Sequence, residues 1–450
     1  MKKLILPAAL AMVVAAAGYS QSTGSTPEGN VTSEMREYAE SAVEWLSAQQ
    51  VPNSIEPSPY PTRRHLPIGY QIPEDDSAFR YIGRRAYTYD AAVAAIAFTA
   101  AGEYARAEDI LLTLRRLSEE NGRLWFAYNT NNAWPNEGDY QGAVVRTGTV
   151  AWAGYAATFY LRMTEDEPVR AADRRIRRRI RGLAERAARY VTERQVESPE
   201  DARHGLATGG FGPHVLETDE SGNVVETYDD GEIRWTSTEH NIDAFFLLRD
   251  LYNLTGNEEF AGAAQEVAQG LESLWDNTAG QLIRGINPDR TRDEVLPLDT
   301  ASWGSMFSLA RGEHERAQSM LETVETRFAV ERDHGVGYLP YGDSSVYEDE
   351  AINKAYFGRE NTTWPEIGPV WIEGSLGVAV ARAKTGDTEI AADIISSMHG
   401  YRHDNGGFQY AEHEVPHQFT TYPSVAATAW YVIAVLVLDD ETVRRTFWSG

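Results

Sequence analysis

The sequence predicts an all-α fold: a double ring of six helical hairpins, an (α/α)6 toroid, with short β-hairpins in the loops at one end. Three observations carry this. Six segments are apolar nearly all round and rich in Ala and aromatic residues, at 87–101, 145–162, 238–254, 299–310, 369–385 and 423–438. A helix of that kind must be buried on both sides. Six amphipathic segments, at 33–49, 103–118, 167–193, 257–275, 313–327 and 388–399, alternate with them and can cover them. The period is roughly 50–90 residues, longer than that of open helical arrays such as the tetratricopeptide and HEAT types, about 34–47 residues. Closure into a ring is therefore expected over an open solenoid.

Taken in order, residues 1–20 read as an export signal: Lys2 and Lys3 precede the apolar run Leu4–Ala17, and small residues follow to Ser20. The run is too short for an ordinary membrane span, and no later stretch supplies one, so a secreted or periplasmic protein is expected. Residues 21–32 read as a linker, and 33–450 as a single domain. The first amphipathic segment, 33–49, has no apolar partner before it and is expected to cover the last inner helix. The joints between inner and outer helices are Ala101-Gly102-Glu103, Thr255-Gly256-Asn257, Arg311-Gly312-Glu313 and Thr385-Gly386-Asp387, with Thr164-Glu165-Asp166 as a glycine-free version. Glycine there supplies the left-handed cap that lets the chain reverse. The glycine- and aromatic-rich stretches 122–129, 209–214, 280–287, 335–342 and 406–413 read as short strands or hairpins leading into the next inner helix. All these loops fall at the same end, which suits a crater.

Composition narrows the function classes. The chain has 450 residues, no cysteine, 41 basic and 67 acidic side chains and a formal charge of −26. Without cysteine there is no disulfide, thiol nucleophile, thiolate metal site or lipid-anchor cysteine. The charge excludes nucleic acid as a main partner. Lys2, Lys3, Lys354 and Lys384 are the only lysines; every other basic residue is arginine. Salt adaptation and a GC-rich genome both give that bias.

The starts of the inner helices converge on the crater. They carry Tyr89-Asp90, Arg146-Thr147, Glu239-His240-Asn241 with Asp243, Asp299-Thr300 with Trp303, and Trp371 with Glu373. An acid in a first helical turn has a structural reason, since it complements the helix dipole. Four of six starts pair an acid with an aromatic or histidine, however, and two carboxylates facing across an aromatic cleft are what glycosidic bond cleavage needs. The catalytic candidates are Glu239, Glu373, Asp90 and Asp299. Glu239 and Asp243, at i and i+4, share a helix face, and two like charges there raise one pKa. Asp90 and Asp299, on the first and fourth inner helices, are placed to bracket a substrate. Flat aromatic side chains stack on the C–H faces of sugars, so Tyr89, Trp134, Trp303, Trp364 and Trp371 join Arg146, His240 and Asp243 as candidate binding residues. Arg146 can hold a uronate or sulfate, or pair with one of the acids; pairing is expected.

The stretches Tyr87-Thr88-Tyr89-Asp90, Arg146-Thr147-Gly148, Thr238-Glu239-His240-Asn241-Ile242-Asp243, Leu298-Asp299-Thr300-Ala301-Ser302-Trp303 and Trp371-Ile372-Glu373-Gly374 resemble those of secreted bacterial proteins of the six-hairpin glycosidase superfamily, over about residues 33–440. The resemblance implies the toroid, a carbohydrate substrate in a central crater and acids on inner-helix ends. The superfamily also holds unsaturated-uronyl hydrolases, sugar epimerases and lyase domains, so it does not by itself single out one activity or one catalytic pair.

Other signals carry less. His413-Glu414-Val415-Pro416-His417 has the letters of a zinc-protease motif, but Pro416 would stand inside the helix that motif requires. The arginine-rich run 170–189 keeps an apolar stripe at Ile176, Ile180, Leu183, Ala187 and Tyr190, so it reads as an outer helix with a solvated basic face; an anionic docking patch is the rival. The acidic stretch 217–232 reads as an exposed hairpin around Ser221-Gly222-Asn223. The expectation is a monomeric secreted glycoside hydrolase with no cofactor, metal or nucleic-acid partner. Its rivals are a lyase using Tyr140, His240 and Arg146, a sugar epimerase, and a non-catalytic glycan-binding envelope protein. A terpene-type toroid is disfavoured because no Asp-x-Asp-Asp cluster is present.

Overall fold

The computed structural model describes residues 31–51, 62–130, 140–165, 171–212, 214–218, 224–228, 231–342, 347, 350–416 and 418–449. Residues 1–20, read as an export signal, most of 21–32, read as a linker, and Trp134 lie outside these residues.

Twelve helices alternate between two layers. The outer helices are α1 (Ser33–Gln49), α3 (Tyr104–Leu117), α5 (Ala171–Thr192), α7 (Glu258–Glu272), α9 (His314–Arg327) and α11 (Thr388–Ser397); the inner helices are α2 (Thr88–Ala100), α4 (Thr147–Met163), α6 (Thr238–Thr255), α8 (Leu298–Ala310), α10 (Ile372–Thr385) and α12 (Val425–Asp439). Each inner helix packs on the next, and α12 returns to pack on α2. That last contact closes the ring. Helices α3, α5, α7, α9 and α11 each cover the inner helix that precedes them in the chain, and α1 covers α12. The inner helices are buried along almost their whole length, as in α4, where every residue from Thr147 to Leu161 is buried. Their Ala and Gly content allows this: Gly154 of α4 faces Leu247 of α6 and Ala187 of α5 where a β-carbon would collide.

The inner-to-outer reversals follow backbone conformation. Gly256 caps α6 in the left-handed region (φ 69°), with open space where a side chain would stand. The requirement there is positive φ, not room.

At the opposite end the glycine-aromatic loops form two- and three-stranded antiparallel sheets, such as 85–87 with 127–129 and 236–237 with 285–286 and 292–293. The strands 214–218 and 224–228 pair as the expected acidic hairpin. A hydroxyl in the first turn of every inner helix ties it to one of these loops. Thr88 Oγ1 donates to the Trp125 carbonyl, Thr147 to Thr208 (2.5 Å), Thr238 to Ile283 (2.5 Å) and Thr300 to Leu282 (2.7 Å). Ser375 Oγ accepts from Tyr338 N (3.1 Å), and Thr428 Oγ1 from Phe408 N (2.9 Å). These buried bonds fix the loops relative to the helix starts, where the candidate acids sit.

The far end of the ring is filled by residues 447–449. After α13 (Glu441–Thr446), Phe447 and Trp448 turn into the ring. The Trp448 ring stacks on Phe246 at 4.6 Å and lies against Trp152 and Trp303, and its backbone N–H donates to Tyr155 Oη (2.5 Å). Ser449 Oγ donates to Asp250 (2.9 Å), which Arg162 also holds (2.7 Å), and Lys384 Nζ donates to the carbonyls of Arg444 and Phe447. These contacts fill the ring interior at this end among the described residues.

Candidate active site

Five carboxyls from four inner helices meet beneath the loop end. Asp90, Asp243 and Glu373 are nearly cut off from solvent, at 6%, 2% and 5% exposure, whereas Glu239 and Asp299 remain partly open. The last two line a pocket of about 380 Å³ together with Trp235, His240, Arg284 and Tyr341. Each therefore meets the pocket on one side while protein surrounds it on the others, and Asp299 Oδ1 is fully buried.

That environment favours neutral carboxyls. Burial first, then Asp299 and Glu373, raises Glu239 well above the usual carboxylate range. The Glu239 and Asp299 side chains are within hydrogen-bonding reach of each other, a contact that requires a proton on one of them. Asp299 is pushed up by burial to about 6, with the backbone N–H groups at the start of α8 opposing the shift. Glu373 is pushed up by burial to about 7, opposed by a hydrogen bond from Tyr89 Oη. Tyr89 in turn accepts from the Trp430 indole N–H (2.8 Å), so a relay from the crater floor orients Glu373. Asp90 and Asp243 are raised mainly by burial, then by Glu373 and Glu239 respectively.

Around the acids, Tyr410 and Tyr70 pack edge to face at 5.9 Å beside Asp90 and Glu373. A β-carbon on Gly69 would stand 2.5 Å from Asp90 Oδ2; only glycine admits that chain segment. His240 is pushed down to about 3 by burial and then by Arg146, and is neutral. Its ring fits because Gly148 faces it, where a β-carbon would lie 2.3 Å away.

The structure brings Glu239, Asp299, Glu373, Asp90, Asp243, Tyr89, Trp371 and His240 together and departs from the sequence-based expectations at three places. Asp299 neighbours Glu239, and Asp90 neighbours Glu373, with Asp90 and Asp299 on the first and fourth inner helices. Trp303 is 3% exposed and stacked on Trp430 (5.8 Å), with Trp152 at its edge; it belongs to the crater floor. Trp364 is buried with Tyr347, Ile367 and Val415 in a small separate core, behind Tyr341. Arg146 pairs with no acid among the described residues; its guanidinium lies over the Trp235 ring (5.5 Å). The structure adds the entry-loop aromatics Trp235, Tyr341 and Tyr410 to the site; Tyr70 and Arg284 had no signal in the sequence, because only the loop folding carries them to the crater. Residues 413–416 form a loop, with His413 Nε2 against the Ile367 carbonyl (2.9 Å), and His417 lies outside the described residues. Among the described residues no group of three His, Asp or Glu is arranged to hold a metal ion, and no helix is long and apolar enough to cross a membrane.

No protein-family model and no curated protein matches the chain. Solved structures do. A glycosidase in complex with glucose superposes with a TM-score of 0.57 at 12% identity, over 90% of this chain and 97% of that one. A D-mannose isomerase gives 0.57 at 12% identity, over 94% and 100%. A GH76 α-mannanase from Bacteroides thetaiotaomicron gives 0.52 at 10%, over 90% and 97%. Identities this low speak to architecture alone, and the shared architecture is the (α/α)6 toroid.

Proposed function

We propose that the protein is a secreted glycoside hydrolase with Glu239 as general acid and Glu373 as its ionised counterpart. The observation that carries this is the contrast between the two carboxyls. Glu239 touches the solvent-open pocket and is held protonated by burial and by Asp299 and Glu373. Glu373, pushed up by burial to about 7, still ionises near neutral pH because the Tyr89 hydroxyl offsets part of that shift. Asp299 stands too close to Glu239 to span a glycosidic bond with it, because the carboxyls of a hydrolytic pair lie about 5–10 Å apart. It serves instead to keep the proton on Glu239.

In the reaction, Glu239 gives its proton to the glycosidic oxygen as the bond to the anomeric carbon breaks. Glu373 stabilises the positive charge that develops and either takes the proton of the attacking water or attacks directly. Tyr410 and Trp371 supply the aromatic walls. Secretion rests on the export signal at residues 1–20.

The test is release of new reducing ends from a panel of poly- and oligosaccharides at low and high salt, for wild type and for Glu239→Gln and Glu373→Gln. Hydrolysis by wild type and its loss in both variants is the expected result. No release at any salt concentration rejects hydrolysis. A second reading, aldose–ketose isomerisation, is favoured by neutral His240, whose Nδ1 is buried without a partner; it predicts interconversion of free sugars with no new reducing ends.

A further inference from the structure

Arg146 stands at the start of α4, where the crater wall is not acidic. Arg146 is half-buried, and it differs from the arginines elsewhere in the ring that hold acids. Arg162 holds Asp250, Arg203 holds Asp201 and Arg382 holds Glu325 and Asp387, each through N–O contacts of 2.7–2.8 Å. Arginines packed against protein are normally paired in this way; Arg146 is half-buried and keeps part of its hydration instead of an acid partner. In a chain with 67 acids, Arg146 has neither a carboxylate nor a carbonyl against its guanidinium among the described residues. Burial alone lowers its pKa, to about 10, so it stays charged at neutral pH.

Two further features favour an anion beside this guanidinium. Arg146 is the N-cap residue of α4, and a cation at the positive end of a helix dipole is the unfavourable sign. Its other neighbours are the Trp235 ring and His240, which its charge helps keep neutral. Trp235 and His240 line the same pocket as Glu239. The crater therefore has two electrically distinct walls: carboxyls on α2, α6, α8 and α10, and one uncompensated guanidinium on α4 backed by an indole.

The geometry points to Arg146 as the anchor for an oxyanion carried by the sugar, a uronate carboxylate or a sulfate ester, with Trp235 and His240 flanking that group and Glu239 beside the adjoining glycosidic bond. Guanidinium matches both anions with two parallel N–H donors. The proposal rests on the carbohydrate reading above and adds the substrate class.

Binding, rather than turnover, separates the two claims. Glucuronate, galacturonate, glucose 6-sulfate, glucose and galactose are titrated calorimetrically into wild type, Arg146→Met and Arg146→Lys at fixed low ionic strength, with a thermal melt of each variant to show that it is folded. Wild type is expected to bind at least one acidic sugar about tenfold or more tightly than its neutral counterpart. Arg146→Met is expected to abolish that preference and Arg146→Lys to retain part of it; which acidic sugar gains decides between carboxylate and sulfate. Equal affinity for acidic and neutral sugars in wild type, no binding of any of them, or a preference that survives in Arg146→Met overturns the proposal. Preferential acidic-sugar binding without hydrolysis in the polysaccharide panel would reject the hydrolase reading and leave this one standing.

Discussion

Glu373 shows how much can hang on one hydroxyl. Tyr89 donates to it, and that bond offsets part of the upward shift caused by burial. Tyr89→Phe removes the donor, so the Glu373 pKa rises further and the acid limb of the pH–rate profile moves to higher pH; an unmoved limb would show that Glu373 does not set it. The same residue carries a stability cost. Its pKa rises from an ordinary 4.5 to about 7 on folding, so the folded state holds the proton more tightly than the unfolded chain. The associated stability is full below about pH 4.5 and is lost as pH climbs through 7. Glu373→Gln is expected to flatten that fall and to gain on the order of 3 kcal/mol over wild type at pH 8, measured by denaturant titration, while losing about 10²–10⁴-fold in turnover. Legibility at this scale was uneven. The acids could be read because charged residues interrupt apolar helices. The fates of Trp303 and Trp364 could not, since an indole that stacks on protein and one that stacks on sugar share the same local sequence. Arg146 was expected to find a carboxylate, and the fold places its guanidinium over Trp235 instead.

At the scale of elements, the apolar and amphipathic segments matched the observed helices to within a few residues, because a helix buried on every side leaves an uninterrupted apolar run. The hydroxyl ties from inner helices to loops were not visible beforehand. A Thr or Ser in a first turn reads as an ordinary cap, and its long-range partner depends on which loop arrives. Thr238→Val leaves the buried Ile283 carbonyl without its hydroxyl partner and is expected to cost about 1–3 kcal/mol in denaturant unfolding and to loosen the strand beside Glu239. Gly148→Ala tests a different contact. Its methyl would enter the His240 ring, so ligand affinity is expected to fall in calorimetric titration while far-ultraviolet circular dichroism is unchanged.

For the whole molecule, ring closure was legible from the count of six inner and six outer segments and from the unpaired segment 33–49, which covers α12. The plug was not. Phe447-Trp448-Ser449 is a short tail without periodicity, and nothing local says that it turns into the ring. It completes an aromatic column of Trp152, Trp303, Trp430 and Trp448 beneath the acids. Trp448→Ala is expected to cost about 3–5 kcal/mol and to lower the melting temperature. A melt unchanged by the substitution would mean that the tail does not seal the ring.

The central claim is that Glu239 delivers the proton to the leaving group, and leaving-group dependence addresses it most directly. On the sugar identified by the panel, kcat/KM is measured for Glu239→Gln and wild type with a methyl glycoside, whose leaving group needs a proton, and a 2,4-dinitrophenyl glycoside, whose leaving group does not. Glu239→Gln is expected to lose about 10²–10⁴-fold on the methyl glycoside and to stay near wild type on the dinitrophenyl glycoside. Equal losses on both, or none on either, would contradict it.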